Sequence, residues 1–298
     1  MSEPEKVLGS VAFIGLGVMG FPMAGHLSGI TQSIKIYNRT REVGQRWMED
    51  YPGNGILCGS PREAAEGSDV VFVCVGNDED VRSVTYGDDG VITGMNAKAL
   101  LVDHTTASRD LAMELDKTCE SNGFGFLDAP VSGGQAGAEN GALTIMVGGE
   151  EENFLRALPY LECYSKKCEL MGSVGFGQLT KMVNQICIAG VLQGLAEGVH
   201  FAQSAGLDVE KVVDVISQGA AQSWQMENRA VTMNQDKFDF GFAVDWMRKD
   251  LGIALETGRS LDARLPLTAL VDQFYGDVQA EFGGRLDTSS LLKRLSKR

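Results

Sequence analysis

Two short segments carry residue types suited to proton transfer and to anion binding. Lys181 and Asn184 are three positions apart, so in a helix they lie on one face, where an ammonium and an amide can serve the same substrate oxygen. Ser132-Gly133-Gly134 offers a hydroxyl and consecutive backbone N–H groups, which suit a carboxylate. Spacing alone does not decide the role of either segment. A Lys-x-x-Asn pair is more often a surface feature, and two glycines after Pro130 can form an ordinary turn.

A third charged segment, Lys249-Asp250, stands before a run with helical spacing. The Lys249 side chain is long enough to reach a cofactor or a substrate. Asp250 is a residue type that caps helices. The alternative is that the pair is an ordinary charged helix start.

The residues from Val11 to Tyr37 have the pattern of a dinucleotide-binding unit. An apolar run, Val11 to Ile14, leads into Gly15-x-Gly17-x-x-Gly20, and a helix-compatible stretch and a second apolar run, Ile34 to Tyr37, follow. A glycine motif occurs by chance in a chain with 37 glycines, or it marks only a structural turn. The strand–turn–helix context is what favours the dinucleotide.

Each glycine of the motif has its own expected role. Gly15 permits the tight turn, Gly17 lets the backbone approach a pyrophosphate, and Gly20 lets the helix pack closely. Val18 and Met19 lie between them, where the N-terminus of the helix offers N–H groups to phosphates.

The end of the second apolar run predicts which dinucleotide binds. An NAD site usually has an acid here, bonded to the ribose 2′-OH. The sequence has Asn38, Arg39 and Thr40 instead, and the guanidinium of Arg39 can pair with a 2′-phosphate. We therefore expect NADP(H) rather than NAD(H), with a solvated arginine in a turn as the alternative.

Alternating strands and helices in the first half predict an α/β domain with a doubly wound, mostly parallel sheet of the Rossmann type. We expect strands at residues 69–75, 99–102, 124–128 and 143–147, and helices from Asp78 with an acidic cap, at 108–121 with Ser108 as the cap, and at 151–161. Such sheets bind ligands at the carboxyl ends of their strands. The loops at 15–20, 38–40, 76–78, 104–106 and 129–134 should therefore lie along one edge.

The second half has the spacing of an all-helical domain. We place the dinucleotide-binding domain at residues 1–173 and the helical domain at 174–298, with a long helix, 178–206, joining them. Further helices are expected at 209–218, 224–233, 246–259 and 265–282. Gly190, Gly194 and Gly198 form a stripe of small residues that suits close contact with another helix, including one of a partner subunit.

Composition excludes several classes of protein. The net charge of −14 argues against nonspecific binding to nucleic acid or to an anionic membrane. The absence of a run of about 18 apolar residues argues against a transmembrane helix. The N-terminus lacks a secretory apolar region. The six cysteines are scattered and are expected to be reduced core residues of a cytoplasmic protein, and neither they nor the three histidines have metal-ligand spacing.

Five segments in order resemble the β-hydroxyacid dehydrogenase family, which includes 3-hydroxyisobutyrate dehydrogenases, tartronate semialdehyde reductases and succinic semialdehyde reductases. They are FIGLGVMGFPMAGHL (13–27), DHTT (103–106), DAPVSGGQAGAENGALTIMVGG (128–149), GQLTKMVNQ (177–185) and MRKDLGIALE (247–256). The resemblance covers almost the whole chain.

The resemblance implies roles for individual residues. Lys181 would be the catalytic acid/base and Asn184 its companion, and Ser132, Gly133 and Gly134 would bind the substrate carboxylate. Thr106 and Lys249 would lie beside the cofactor. The resemblance also places Asn77 on the cofactor loop, and it implies a homodimer or homotetramer built through the helical domain.

We therefore expect an NADP(H)-dependent oxidoreductase that reduces a small aldehyde or keto acid bearing a carboxylate, with no metal. One alternative is an imine reductase, which has the same fold, although those enzymes usually carry another residue in place of Lys181. A second alternative is a non-catalytic NADP-binding interaction module, a class in which the lysine is lost.

Overall fold

The computed structural model describes residues 7–295. The chain divides between Lys181 and Met182 into two compact units, and the division falls inside the long helix rather than before it. This is a few residues beyond the boundary at 173/174 that the sequence suggested.

The first unit is built on a nine-stranded sheet with the order β3-β2-β1-β4-β5-β6-β8-β7, in which β9 also pairs with β8. The first six strands in this order are parallel, β8 is antiparallel to β6 and β7, and β9 is parallel to β8. The strands are β1 (Val11–Ile14), β2 (Ile34–Tyr37), β3 (Gly55–Leu57), β4 (Val70–Val73), β5 (Leu100–Asp103), β6 (Gly125–Asp128), β7 (Val131–Ser132), β8 (Leu143–Gly149) and β9 (Ser165–Gly172).

Eight helices complete this unit, and a ninth begins in it. They are α1 (Gly20–Ser28), α2 (Arg41–Asp50), α3 (Pro61–Ala65), α4 (Asp78–Thr85), α5 (Val91–Gly94), α6 (Arg109–Ser121), α7 (Gly134–Glu139), α8 (Glu151–Leu161) and α9 (Phe176–Ser204). The α/β class and the mostly parallel sheet are confirmed.

The sheet has apolar residues on both faces because its central strands β1 and β4 are apolar at every position. In β1, Val11 and Phe13 belong to one core cluster, whereas Ala12 and Ile14 belong to another. Successive side chains of a strand point to opposite faces, so a parallel sheet covered on both sides requires such unbroken apolar runs.

Local sequence signals set several helix starts. Ser108 caps α6 as expected, since its hydroxyl accepts the N–H of Leu111 at 3.0 Å. The cap of α4 is Asn77 rather than an acid, and its side chain accepts the N–H of Asp80 at 2.9 Å. A side-chain oxygen at this position satisfies a backbone donor that the helix leaves without a partner.

The second unit is all-helical, as predicted, and has its own apolar core. It holds most of α9 together with α10 (Val209–Ile216), α11 (Trp224–Asn234), α12 (Val244–Ser260), α13 (Pro266–Phe282) and α14 (Leu291–Leu295). The four helices expected after the long helix are present, with small shifts at their ends.

By length and composition alone, α9 is suited to cross a membrane, with a mean hydropathy of 1.2 over its most apolar window. The sequence predicts no transmembrane helix, and one helix that passes a test of length and composition is weak evidence against that prediction. Core helices pass the same test, and Ala189, Leu192, Ala196 and Val199 of α9 are buried in the core of the second unit. Burial in that core accounts for these four apolar residues.

The small-residue stripe of α9 faces little of its own chain. A Cβ at Gly190 would lie in ordinary contact with Leu267, at 3.4 Å. A Cβ at Gly194 or Gly198 would have no atom of the described chain within 4 Å. Packing inside the described part of the chain therefore does not require glycine at the last two positions.

Candidate active site

The glycine loop after β1 has the geometry that the motif predicts. Gly15 has a φ of +97°, which favours glycine, and a Cβ there would overlap the carbonyl oxygen of Cys74. A Cβ at Gly20 would overlap the carbonyl oxygen of Gly15, so the helix packs closely against the turn. At Gly17 a Cβ would meet no protein atom within 4 Å, and Val18 is 58% exposed.

The N-terminus of α1 is suited to an anion. Its N-cap residue, Met19, makes no side-chain capping bond, so no side chain of the cap competes for the first N–H groups of the helix. The requirement for glycine at Gly15 and Gly20 comes from packing, whereas Gly17 has room for a group close to its backbone. These features fit the pyrophosphate of a dinucleotide.

The end of β2 is tied to the glycine loop by Asn38. Its side-chain oxygen accepts the N–H of Leu16 at 2.9 Å, and its amide donates to the carbonyl of Thr40, also at 2.9 Å. Thr40 precedes α2 and makes no side-chain capping bond. Asn38 therefore holds the loop as well as lying where a ribose is expected.

Arg39 is 87% exposed, and its Nη1 lies 3.4 Å from Oδ1 of Asp80. The sequence has no acid at positions 38–40, but the fold brings one from α4, 41 residues away. Asp80 was missed by sequence reasoning, since nothing local to Arg39 signals it. The carboxylate offers Arg39 an alternative partner to a phosphate.

Three bonds join the loops that follow the parallel strands. The Leu16–Asn38 bond joins the loops after β1 and β2. The N–H of Val75, after β4, donates to the hydroxyl of Thr105, after β5, at 3.0 Å. The same two loops meet where the N–H of Ser108 donates to the Asp78 carboxylate at 2.9 Å. The predicted gathering of these loops along one edge is found in this unit. Asn77 and Thr106, both half-buried, belong to it.

Ser132 ends β7, Gly133 follows it, and Gly134 begins α7. Ser132 pairs with Thr144 of β8, and Gly133 and Gly134 are exposed. Their φ values of +136° and +62° both favour glycine. The two glycines thus produce the turn, and their exposed backbone is available to an anion.

Asp128, at the end of β6, caps the N-terminus of α9. Its carboxylate accepts the N–H groups of Gly175 at 2.7 Å and Gln178 at 2.8 Å. Burial raises the pKa of Asp128 to about 6, although these two bonds oppose the shift. The neighbouring Asp103 is fully buried, and burial raises its pKa to about 7.

Gln178 connects the start of α9 to the loop after β5. Its amide donates to the carbonyl of Thr105 at 2.7 Å, and its side-chain oxygen accepts the N–H of Ala107 at 3.1 Å. Sequence reasoning did not single out Asp128 or Gln178 for a site. The one available signal was that both fall inside segments already recognised as motifs.

Lys181 follows Gln178 by one turn of α9 and is only 7% exposed. Asn184 is one further turn along the same helix, and its amide donates to the side-chain oxygen of Gln185 at 2.8 Å. A buried ammonium is not a surface lysine, so the interpretation of the Lys-x-x-Asn pair as a surface feature does not apply to Lys181.

Lys249 and Asp250 lie inside α12, not before a helix, so a capping role for Asp250 is wrong. Asp250 is 3% exposed and accepts the amide of Gln185 at 2.6 Å. The ammonium of Lys249 lies 3.1 Å from the same carboxylate and 5.7 Å from the ring centre of Trp246. Asn184, Gln185, Asp250 and Lys249 thus form one polar chain within the second unit.

Among residues 7–295 no group of three His, Cys, Asp or Glu side chains has the arrangement of a metal site. The six cysteines, all within this range, are free.

Two family models match the chain over nearly its whole length. Residues 10–172 match the NAD-binding domain of 6-phosphogluconate dehydrogenase, and residues 175–295 match the NAD-binding domain of NADP-dependent 3-hydroxyisobutyrate dehydrogenase. An uncharacterized oxidoreductase of Shewanella frigidimarina is 61% identical, over 97% of this chain and 99% of the relative. The 2-hydroxy-3-oxopropionate reductase of Escherichia coli is 32% identical, over 96% of each chain.

The fold is similar to that of solved dehydrogenases. The 3-hydroxyisobutyrate dehydrogenase of Mycobacterium tuberculosis, solved with L-serine, has a TM-score of 0.87, with 30% identity over 97% of this chain and 100% of that one. An imine reductase from a Pseudomonas species is more distant, with 17% identity over 97% of this chain and 100% of that one and a TM-score of 0.62, which indicates a shared fold alone.

Proposed function

Because this chain belongs to the β-hydroxyacid dehydrogenase family of NAD(P)-dependent oxidoreductases, we propose that it interconverts a small carboxylate-bearing aldehyde or keto acid and its hydroxy acid with NADP(H). The observation that carries the proposal is the buried Lys181, held one turn beyond the Asp128-capped start of α9. A lysine in this position is what the family's proton-transfer chemistry needs.

The cofactor half of the proposal rests on the glycine loop and on the end of β2. The open backbone at Gly17 and the N-terminus of α1 suit a pyrophosphate. Arg39 suits a 2′-phosphate, since its guanidinium is exposed and no acid stands at residues 38–40. Asn77, Thr106 and Lys249 are proposed to lie beside the same cofactor, with NAD(H) as the less favoured alternative.

The substrate half rests on the Ser132-Gly133-Gly134 turn. Its hydroxyl and exposed glycine backbone suit a carboxylate, which would fix one end of a short substrate. The protein of the M. tuberculosis structure with L-serine is a 3-hydroxyisobutyrate dehydrogenase. A β-hydroxy acid of this size is the class of compound that we propose for the present chain.

The reduced nicotinamide supplies hydride when bound. In reduction, the substrate's carbonyl carbon gains the hydride, and its oxygen takes a proton from the ammonium of Lys181, which yields a neutral alcohol. Asn184 would orient that oxygen or Lys181 itself. In oxidation, neutral Lys181 takes the hydroxyl proton as the hydride leaves the carbon.

We propose a homodimer or homotetramer formed through the second unit. Val183, Cys187, Val191 and Phe201 are exposed along α9, near the glycine stripe, and such a face is costly to leave in water. The proposed partners are otherwise limited to the small-molecule substrate. The charge of −14 disfavours nucleic acid and anionic membrane, and free cysteines suit the cytoplasm.

The test is a panel of glyoxylate and succinic, malonic, methylmalonic and tartronic semialdehydes with NADPH, beside cyclic imines. We expect NADPH oxidation with at least one semialdehyde and none with the imines. Oxidation with the imines alone would identify an imine reductase instead. No oxidation with any compound, together with tight binding of a protein partner, would favour the non-catalytic module.

A further inference from the structure

His104 is a buried side chain that the proposed reaction does not use. It directly follows β5 and is 2% exposed. Its ring stacks on Phe72, with centres 5.8 Å apart and planes at 2°, and it meets the edge of Tyr164 at 84°. A histidine fully surrounded by aromatic core is unusual unless both ring nitrogens have hydrogen-bond partners.

Both nitrogens of His104 have such partners. Nδ1 lies 2.6 Å from the carbonyl oxygen of Ala129, and Nε2 lies 2.9 Å from the hydroxyl of Tyr164. Burial lowers the pKa of His104 to about 4, so the ring is neutral at pH 7. A carbonyl oxygen only accepts, so Nδ1 carries the proton, and Nε2 accepts the hydroxyl proton of Tyr164.

Hydrogen bonds therefore hold Ala129 at both its backbone N–H and its carbonyl. Its N–H donates to the carbonyl of Asp103 at 2.7 Å, and its carbonyl accepts from His104. The next residue, Pro130, has no N–H and a fixed φ, and its carbonyl accepts the N–H of Met146 at 3.1 Å. A change in backbone direction at Ala129 therefore also displaces Ser132, three residues later in the chain.

We propose that His104 is a positioning residue for the Ser132-Gly133-Gly134 anion site, and that the Tyr164 hydroxyl, which donates to Nε2, holds the ring where its Nδ1–H reaches the Ala129 carbonyl. The identity of the anion, a substrate carboxylate, rests on the proposed function. The geometry around His104 does not depend on it. Without the Tyr164 hydroxyl, Nε2 loses its donor and the ring is held only through Nδ1. The ring can then tilt, and the Ala129 carbonyl bonded to it moves as well.

The first experiment needs no substrate. Nitrogen NMR of histidine-labelled protein, with His26→Gln and His200→Gln for assignment, is expected to show His104 protonated at Nδ1. In Tyr164→Phe the proton should stay on Nδ1, the Nε2 signal should change because its hydrogen-bond donor is lost, and the backbone amide signals of Ser132, Gly133 and Gly134 should shift. An Nε2 proton in the wild-type protein, or unchanged amide signals in Tyr164→Phe, would overturn the proposal.

The matched control is Tyr160→Phe, which removes a hydroxyl from a ring that also packs on Phe72, at 6.2 Å, but does not bond to His104. This control should leave the Nε2 signal of His104 and the three amide signals unchanged. Equal shifts in both variants would show a general disturbance of the aromatic core and would reject the specific role of Tyr164.

The second experiment uses the substrate found by the panel. Losing one well-placed hydrogen bond should raise KM for the carboxylate substrate roughly tenfold in Tyr164→Phe, with little change in kcat and in the NADPH Kd. A fall in kcat with KM unchanged would contradict positioning of the anion site. If no substrate is found, the proposed function fails while the NMR result still decides the role of His104.

Discussion

The carboxylate of Asp128 accepts the backbone N–H of Gln178 at 2.8 Å, so the last residue of β6 caps the first turn of α9. Gln178 in turn bonds to the loop after β5 through both ends of its amide. One turn later on the same helix stands Lys181. The sheet edge and the helix that carries the proposed proton donor are therefore joined through this capping interaction.

Asp128→Asn should destabilise the first unit by about 1–2 kcal/mol, since it removes a charged cap and turns an N–H donor toward the backbone N–H groups. The free energy of unfolding can be followed by Trp47 fluorescence in a Trp224→Phe/Trp246→Phe background, because Trp47 is the one tryptophan of the first unit. The control is Asp110→Asn, at an exposed position in the first turn of α6. Equal losses in both variants would argue against the cap.

Lys181→Ala should lower kcat by about 10²- to 10⁴-fold, the usual contribution of a general acid, while NADPH affinity is kept. Steady-state kinetics and calorimetric titration with NADPH separate the two effects. Lys166→Ala, at an exposed lysine of β9, is the control and should leave both unchanged. Near-normal turnover in Lys181→Ala would remove this lysine from the mechanism.

Arg39→Ala should weaken NADPH binding by roughly 10- to 100-fold, since a hydrogen bond between charged groups is lost, and leave NADH binding unchanged. The measurement is the ratio of kcat/KM for the two cofactors. If the ratio is the same in the variant, Arg39 does not bind the 2′-phosphate.

Asp80→Asn should act in the opposite direction. Its carboxylate pairs with Arg39 at 3.4 Å and lies where a 2′-phosphate would be repelled, so the variant should bind NADPH roughly threefold more tightly. The gain should shrink at high salt, because the pair is exposed. Glu79→Gln, which removes a charge that pairs with Arg82 instead, is the control. Equal gains from both would indicate a general charge effect.

Local signals predicted the parts of the fold that depend on neighbours in sequence. The first strand, the glycine turn and α1 follow one another within about 20 residues, and the cap of α6 is its own preceding residue, Ser108. The strand β9 was not predicted. Half of the residues in its sequence, SKKCELMG, are polar, and it is a strand because it pairs with β8. Whether a segment of this kind forms a strand depends on the strand that lies beside it in the folded sheet.

The candidate site also contains residues that local patterns predict and long-range contacts that they do not predict. Gly15 and Gly20 were found from the spacing of the glycine motif, and the role of Lys181 was suggested by the family resemblance. The polar contacts that hold them were not predicted, because Asp128 and Gln178 are 50 residues apart and Gln185 and Asp250 are 65 apart. A buried carboxylate with a distant partner has no local pattern, so the sequence suggests a cap at Asp250, which is a core residue of α12.

His104 should make the first unit less stable in acid. Its pKa is about 4 in the folded protein against an ordinary value of 6.5, so below pH 6.5 the unfolded chain binds the extra proton and stability falls as the pH falls toward 4. Between pH 7.5 and 4.5 this linkage is worth about 2–3 kcal/mol. The raised pKa values of Asp103 and Asp128 act in the opposite sense, because there the folded state holds the proton.

The difference between wild type and His104→Gln isolates the histidine from those two acids. The stability advantage of the wild type over this variant at pH 7.5 should shrink by about 2–3 kcal/mol at pH 4.5, in urea unfolding followed by Trp47 fluorescence. His26→Gln, at a half-buried histidine whose Nε2 lies 2.9 Å from the carbonyl oxygen of Ala138, is the control for loss of a ring. The stability difference between wild type and His104→Gln could instead stay constant across this pH range. That result would mean that burial does not keep His104 neutral, and it would contradict the neutral Nδ1–H tautomer that bonds to the Ala129 carbonyl.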